Sequence, residues 1–151
     1  MMPENFVGND EILYRRVLPG RNHYKFKPDE TIEISSQAFY DPELRISVDR
    51  ANLCDNNPKR TLGNGSGVLS LVTIDVRSVV DLSREENQKQ VIERFRIDVE
   101  PVPLPNNSAH AEIHAIPSFT DFDKKRAFKR LCQRLARLAE ARKWEIRPTS
   151  E

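Results

Sequence analysis

From Val91 to Glu100 the chain alternates: Phe95, Ile97 and Val99 fall between Arg94, Arg96, Asp98 and Glu100. A period of two puts the two sets on opposite faces of an extended backbone, so this segment predicts a half-buried β-strand. Glu11–Leu18, rich in Ile, Leu, Tyr and Val and stopped by Pro19-Gly20, predicts another, and Thr31–Ser35 a third. Val68–Arg77 opens with consecutive apolar residues, the pattern of a central strand covered on both faces, and Gly63-Asn64-Gly65-Ser66-Gly67 is the turn leading into it. Ser47 is placed to cap a short helix running to Cys54, where Asp55-Asn56-Asn57-Pro58 ends it. Asp81–Gln90 reads as a charged connection, with Ser83 and Glu86 spaced as a capping box for one helical turn.

The period changes to 3.6 near the C-terminus. Phe128, Leu131, Cys132, Leu135, Leu138 and Ala139 make one apolar stripe of a helix of about five turns, with a start available at Ser118, Thr120 or Asp121. Trp144 and Ile146 are placed to tie down the tail, and Pro148 ends the order. The predicted fold is α+β: one domain over residues 1–151, a mainly antiparallel sheet of about five strands covered by a long C-terminal amphipathic helix. Residues 1–10 and 148–151 are expected to be loosely ordered.

Between the alternating strand and that helix lies Ala109-His110-Ala111-Glu112-Ile113-His114, preceded by Pro101, Pro103 and Pro105 and followed by Pro117. The prolines impose an extended connection, so the runs on either side of them can pair as neighbours. As a strand, the segment puts His110, Glu112 and His114 on one face and Ala109, Ala111 and Ile113 on the core face. Same-face neighbours then lie about 6.6 Å apart and the two histidines about 13 Å apart, too far to share one metal. A metal would need Glu112 with one of them and His23 to complete the set. As a helix capped by Ser108, the segment would instead bring His110 and His114 together at i and i+4 and turn Glu112 away. The strand is the favoured reading. No metal or other cofactor is expected.

With 38% apolar and 31% charged residues the chain has the composition of a globular protein. Its start lacks the basic flank and apolar run of a secretory signal, and no apolar stretch is long enough for a membrane span. Cys54 and Cys132 belong to no metal-binding or redox spacing, so two free thiols in a reducing cytoplasm are expected. The net charge of +1 hides an uneven distribution: Lys124–Lys143 holds nine Lys or Arg and one acid, Glu140, while residues 1–123 are acidic overall. Arg126, Arg130, Arg134 and Arg137 fall in one stripe beside the apolar face of the predicted helix. Guanidinium groups suit carboxylates and phosphates, so this stripe is the candidate contact surface for a protein partner, with nucleic acid or a nucleotide as alternatives. The charge pattern therefore favours a binding or accessory protein over an enzyme.

Two resemblances bear on function. Arg15 and Arg16 in Leu13-Tyr14-Arg15-Arg16, Ser35-Ser36, and Glu112 follow one another in an order that resembles the Arg, Ser and Glu triad of ADP-ribosyltransferases. That resemblance implies an arginine on dinucleotide phosphate, serines shaping a nicotinamide pocket and a glutamate stabilising the transition state. The chain departs from the pattern at two points: the serines are adjacent rather than Ser-x-Ser, and the acid stands in His110-Ala111-Glu112 rather than Glu-x-Glu. The blocks Leu13–Arg16, Ser35–Asp41, Ser47–Ala51, Gly67–Leu71 and Pro103–Ile113 together resemble a group of small bacterial proteins. This wider resemblance implies a bacterial, intracellular setting and assigns no activity.

Overall fold

The computed structural model describes residues 6–86 and 90–149. In chain order the elements are strands β1 (Ile12–Val17), β2 (Tyr24–Phe26), β3 (Ile32–Ile34) and β4 (Ile46–Arg50), helix α1 (Lys59–Leu62), strand β5 (Gly67–Val72) and helix α2 (Thr73–Arg77). Strands β6 (Ser83–Glu86), β7 (Gln90–Arg94), β8 (Arg96–Pro101) and β9 (His110–Ile116) follow, and helix α3 (Ala127–Arg142) closes the fold. Five strands form an antiparallel sheet in the order β5-β1-β4-β9-β8, while β2–β3 and β6–β7 are separate two-stranded ribbons. The fold is α+β, as the periodicities predict.

One face of the sheet carries the core. Leu13 and Val17, Ile46 and Val48, Leu69 and Leu71, Ile97 and Val99, and Ala111, Ile113 and Ala115 meet Phe128, Leu131, Cys132, Leu135, Ala136 and Ala139 of α3. Every one of these helix residues is buried; five of them belong to the apolar stripe read from the sequence, Ala136 joins them, and Leu138 of that stripe is only partly buried. A smaller cluster lies on the opposite face, where Tyr14, Ala51, Cys54, Val68 and Ala109 pack with Leu53 and Leu62 from the segment containing α1.

Several boundaries differ from the local signals. The helix predicted from Ser47 is instead β4, the central strand, followed by a 3-10 turn over Ala51–Cys54. Ile46, Val48 and Arg50 alternate with half-buried Ser47 and Asp49, and this pairing on both edges outweighs one capping serine. Thr31–Ser35 contributes β3 to a hairpin rather than to the sheet, and Ile34 is held from the side by α3: its N–H donates to Glu140 (3.3 Å) and its carbonyl accepts from Arg137 (3.0 Å). Val68–Arg77 changes from strand to helix at Thr73. The alternating run from Val91 switches partners at Phe95, which is buried against Phe119 with ring centres 4.8 Å apart. The polar connection before it is strand β6, paired with β7; its residues 87–89 lie outside the described residues.

At the C-terminal helix, Thr120 and Asp123 form a capping box, but for a 3-10 turn over Asp121–Asp123; the continuous helix starts at Ala127. Ile146 ties down the tail, bridging to Val68, and Trp144 packs edge-on against Tyr24. Of the ends expected to be loose, residues 1–5 and 150–151 lie outside the described residues. Within those ends, Val7 is fully buried in the core, the Asn9 carbonyl accepts the Ile74 N–H, and Pro148 is buried. No helix among the described residues is long and apolar enough to cross a membrane.

Candidate functional site

The histidine segment is a strand, and β8 pairs with it directly across the proline connection. His110, Glu112 and His114 therefore share the sheet face opposite α3, with Asp49 opposite His110, Glu100 opposite Glu112 and Asp98 opposite His114. Glu112 stands opposite Glu100, and like charges in that position repel. Arg45 resolves the conflict. Its Nε donates to Glu112 at 2.6 Å and its Nη2 to Glu100, forming a closed carboxylate–guanidinium–carboxylate bridge. Burial pulls the Arg45 guanidinium down, yet the two carboxylate hydrogen bonds more than offset it and hold it above its ordinary range. Glu112 is thus a tethered ion-pair partner, and the sequence held no local sign of Arg45 because the contact spans 67 residues.

The histidines are separately engaged. His110 Nδ1 lies 2.8 Å from the Val102 carbonyl, and its Nε2 is 4.0 Å from Glu112. A carbonyl only accepts, so Nδ1 carries the proton in that bond. Burial, then the charge of Arg45, lowers the His114 pKa. His23 Nδ1 accepts the Leu18 N–H at 3.0 Å, and burial reinforced by Arg15 and Arg21 pushes its pKa down to about 4. Among the described residues no group of three or more His, Cys, Asp and Glu is arranged to hold a metal ion.

Nor does the structure bring Arg, Ser and Glu together. Arg15 is spent on backbone: it donates to the carbonyls of Ala38 (2.9 Å), Ser47 (2.8 Å) and Tyr40 (3.4 Å). Arg16 reaches Asn64 Oδ1 at 3.3 Å. Ser35 caps the 3-10 turn over Ser36–Phe39 by accepting the Gln37 N–H, and Ser36 lines a recess beside α3. Arg15 and Arg16 line a cavity of about 480 Å³ on the open sheet face that contains neither the serines nor Glu112. A hollow of about 610 Å³ also lies between the β2–β3 hairpin and Trp144.

The arginine stripe on α3 divides into two halves. In the C-terminal half, Arg134 donates to the Val80 carbonyl at 3.2 Å, and Arg137 holds Ile34 and pairs with Glu140 at 3.3 Å. Those two arginines join elements of the fold. In the N-terminal half, Arg126 lies over the ring of Phe122 at 5.4 Å, and Lys125, Lys129 and Arg130 are exposed and take part in no ion pair among the described residues. Lys124 has one partner, Asp121 at 3.5 Å. Lys124, Lys125 and Lys129 line a recess of about 260 Å³ together with Ser36, Gln37 and Tyr40. Sequence reasoning missed these lysines because the arginine periodicity drew the stripe along the whole helix. It also missed exposed Phe122 and Tyr40, which precede the helix by a few and by many residues respectively.

Both thiols are free and buried, and burial pushes Cys132 up to about 12, so it is no nucleophile at neutral pH. Searches of protein families, of curated proteins and of solved structures find no match to this chain, which leaves the geometry described above as the basis for a functional reading.

Proposed function

We propose that the protein is a small bacterial, cytoplasmic binding module that docks an acidic protein segment on the N-terminal half of α3. The observation that carries this reading is the set of uncompensated cations: Lys125, Lys129 and Arg130 are exposed without an acidic partner among the described residues, next to a lysine-lined recess large enough for a carboxylate side chain. Fixed charges of one sign attract a complementary partner and speed its encounter. Exposed Phe122 and Tyr40 add apolar surface for the hydrophobic residues of such a segment.

A protein segment fits this patch better than nucleic acid does. Arg126 lies over one face of the Phe122 ring and the Tyr40 ring packs edge-on against Phe128, which reduces the ring surface open to stacked bases. Two buried free thiols support the reducing compartment.

The test is fluorescence anisotropy with a short labelled peptide of alternating Glu and Leu, and with labelled single-stranded and duplex DNA. Binding of the peptide is expected to weaken at least about tenfold when Lys125, Lys129 and Arg130 are all replaced by Glu, and to weaken with added salt. Tighter binding of DNA than of the peptide, or a peptide affinity untouched by the triple reversal, would overturn the reading.

A further inference from the structure

The open face of the sheet holds a second, independent feature. Strands β1 and β5 pair along all six residues of β1, but β1 and β4 pair only at Leu13–Arg50 and Tyr14–Asp49. Beyond Tyr14 the two central strands part. A split inside a sheet exposes backbone groups that a ladder would satisfy. Arg15 compensates, with its guanidinium bonded to the carbonyls of Ser47, Ala38 and Tyr40. The opening is therefore built into the fold and held by a side chain. The cavity of about 480 Å³ sits on this split, between the strands, α1 and the turn at Asn107.

Its chemistry is divided between rim and interior. At the rim stand Arg16 and Arg60. Arg16 lies against the loop after α1, where the glycines make room: a Cβ at residue 65 would stand 2.4 Å from Arg16 Cγ, and one at residue 63 would stand 3.0 Å from its Nη1. Its partner among the described residues, Asn64 Oδ1, uses one of five N–H donors. Arg60 pairs with Asp55 at 2.6 Å, but both side chains are largely exposed, and such a pair is weak enough to yield to a ligand. Further in, the Asp49 carboxylate is held by Thr61 Oγ1 and Asn107 Nδ2, both at 2.8 Å, one on each oxygen. A carboxylate has about four acceptor positions, so Asp49 retains capacity for two more donors. His110, fixed through Nδ1 by Val102, has Nε2 as its remaining ring nitrogen.

We infer that this cavity is a binding site for a small phosphorylated sugar or polyol: Arg16 and Arg60 take the phosphate, and Asp49 and His110 accept hydrogen bonds from the hydroxyls. Guanidinium forks match phosphate oxygens in geometry and charge, and an anchored carboxylate is the natural acceptor for paired hydroxyls. A cavity of this size holds a molecule of that class, and its lining is mostly polar where a site for an apolar ligand would be aliphatic or aromatic.

Isothermal titration calorimetry with ribose 5-phosphate, adenosine 5′-monophosphate, ribose and inorganic phosphate tests the assignment. Ribose 5-phosphate is expected to bind at least about tenfold more tightly than ribose or inorganic phosphate, and Arg16→Met or Arg60→Met to lose about tenfold of that affinity with unchanged thermal stability. Tighter binding of the nucleotide would keep the phosphate and hydroxyl chemistry and identify a nucleotide as its source; weaker binding would identify a free sugar phosphate. Asp49→Asn should weaken ribose 5-phosphate more than inorganic phosphate, and Thr61→Val, which loosens the carboxylate without removing it, should weaken it less. No heat of binding for either phosphorylated compound at about 10 mM, or affinities indifferent to both arginine substitutions, would overturn the inference.

Discussion

Replacing Arg45 by Met should convert the carboxylate–guanidinium–carboxylate bridge on the open sheet face into a bare pair of opposed carboxylates. Glu100 and Glu112 are direct partners on β8 and β9, which fixes their Cβ atoms about 5 Å apart. Both are partly exposed, at 46% and 21% of their side-chain surface, so an effective dielectric near 40 is appropriate. Two unit charges about 6 Å apart then repel by about 1.4 kcal/mol. That repulsion is present with and without Arg45, so the loss is the attraction that offsets it, about 0.5–1 kcal/mol for each of the two half-exposed ion pairs. The expected loss is about 1–2 kcal/mol, or a fall in Tm of about 2–8 °C for a chain of this length. Urea denaturation at pH 7.5 measures it. In about 1 M salt, where the screening length falls to about 3 Å, the difference from the unsubstituted protein should shrink. Adding Glu112→Gln to Arg45→Met should restore most of the stability at pH 7.5. A loss that is the same at low and high salt and insensitive to Glu112→Gln would refute the bridge as the role of Glu112.

Three further outcomes follow from the same geometry. Arg50, 1% exposed, meets Glu11 at 2.9 and 2.8 Å and the Phe6 carbonyl at 2.9 Å, so Arg50→Met should cost about 3–5 kcal/mol in urea unfolding by stranding Glu11, and Arg50→Met/Glu11→Leu should recover part of it. His23 is held neutral, its folded pKa of about 4 lying below its ordinary 6.5, so its contribution is full above pH 6.5 and lost as the pH falls from 6.5 towards 4. After allowance for its partial exposure that contribution is about 1–2 kcal/mol, and His23→Gln should flatten the stability profile in that window by the same amount. Gly65→Ala should destabilise by about 1–3 kcal/mol in thermal unfolding, because its Cβ would stand 2.8 Å from the Val17 carbonyl as well as against Arg16.

Much of the architecture was legible because it rests on periodicity. The alternation in His110–Ile116 and Arg96–Pro101 marks which side chains face the core, and the 3.6 spacing from Phe128 to Ala139 marks the face of α3. Where two signals compete, the local one misleads. Ser47 is a good capping residue, yet Ile46 and Val48 belong to a strand paired on both sides, and that partnership involves residues distant in sequence. Phe95 continues a perfect alternation, but the chain turns there because its ring is needed against Phe119. Five strands were expected and five form the sheet, although Ile46–Arg50 takes the place that Thr31–Ser35 seemed to fill.

The candidate sites were less legible for a physical reason. A lone carboxylate such as Glu112 has the same sequence signature whether it is catalytic or bridged, and its partner Arg45 lies 67 residues away. The arginines of α3 are equivalent on a helical wheel, but Arg134 and Arg137 reach carbonyls of other elements while Arg130 does not. The split between β1 and β4 was invisible from sequence, since Tyr14-Arg15-Arg16 has the pattern of an ordinary strand.

The docking surface on α3 is tested most directly by two-dimensional NMR of the isotope-labelled protein titrated with the Glu-Leu peptide. The amides of residues 121–131 and of Ser36, Gln37 and Tyr40 should shift along one saturable curve, while those of the open sheet face at Asp49, Thr61 and His110 stay still. Shifts confined to the open face, or none at saturating peptide, would contradict the account.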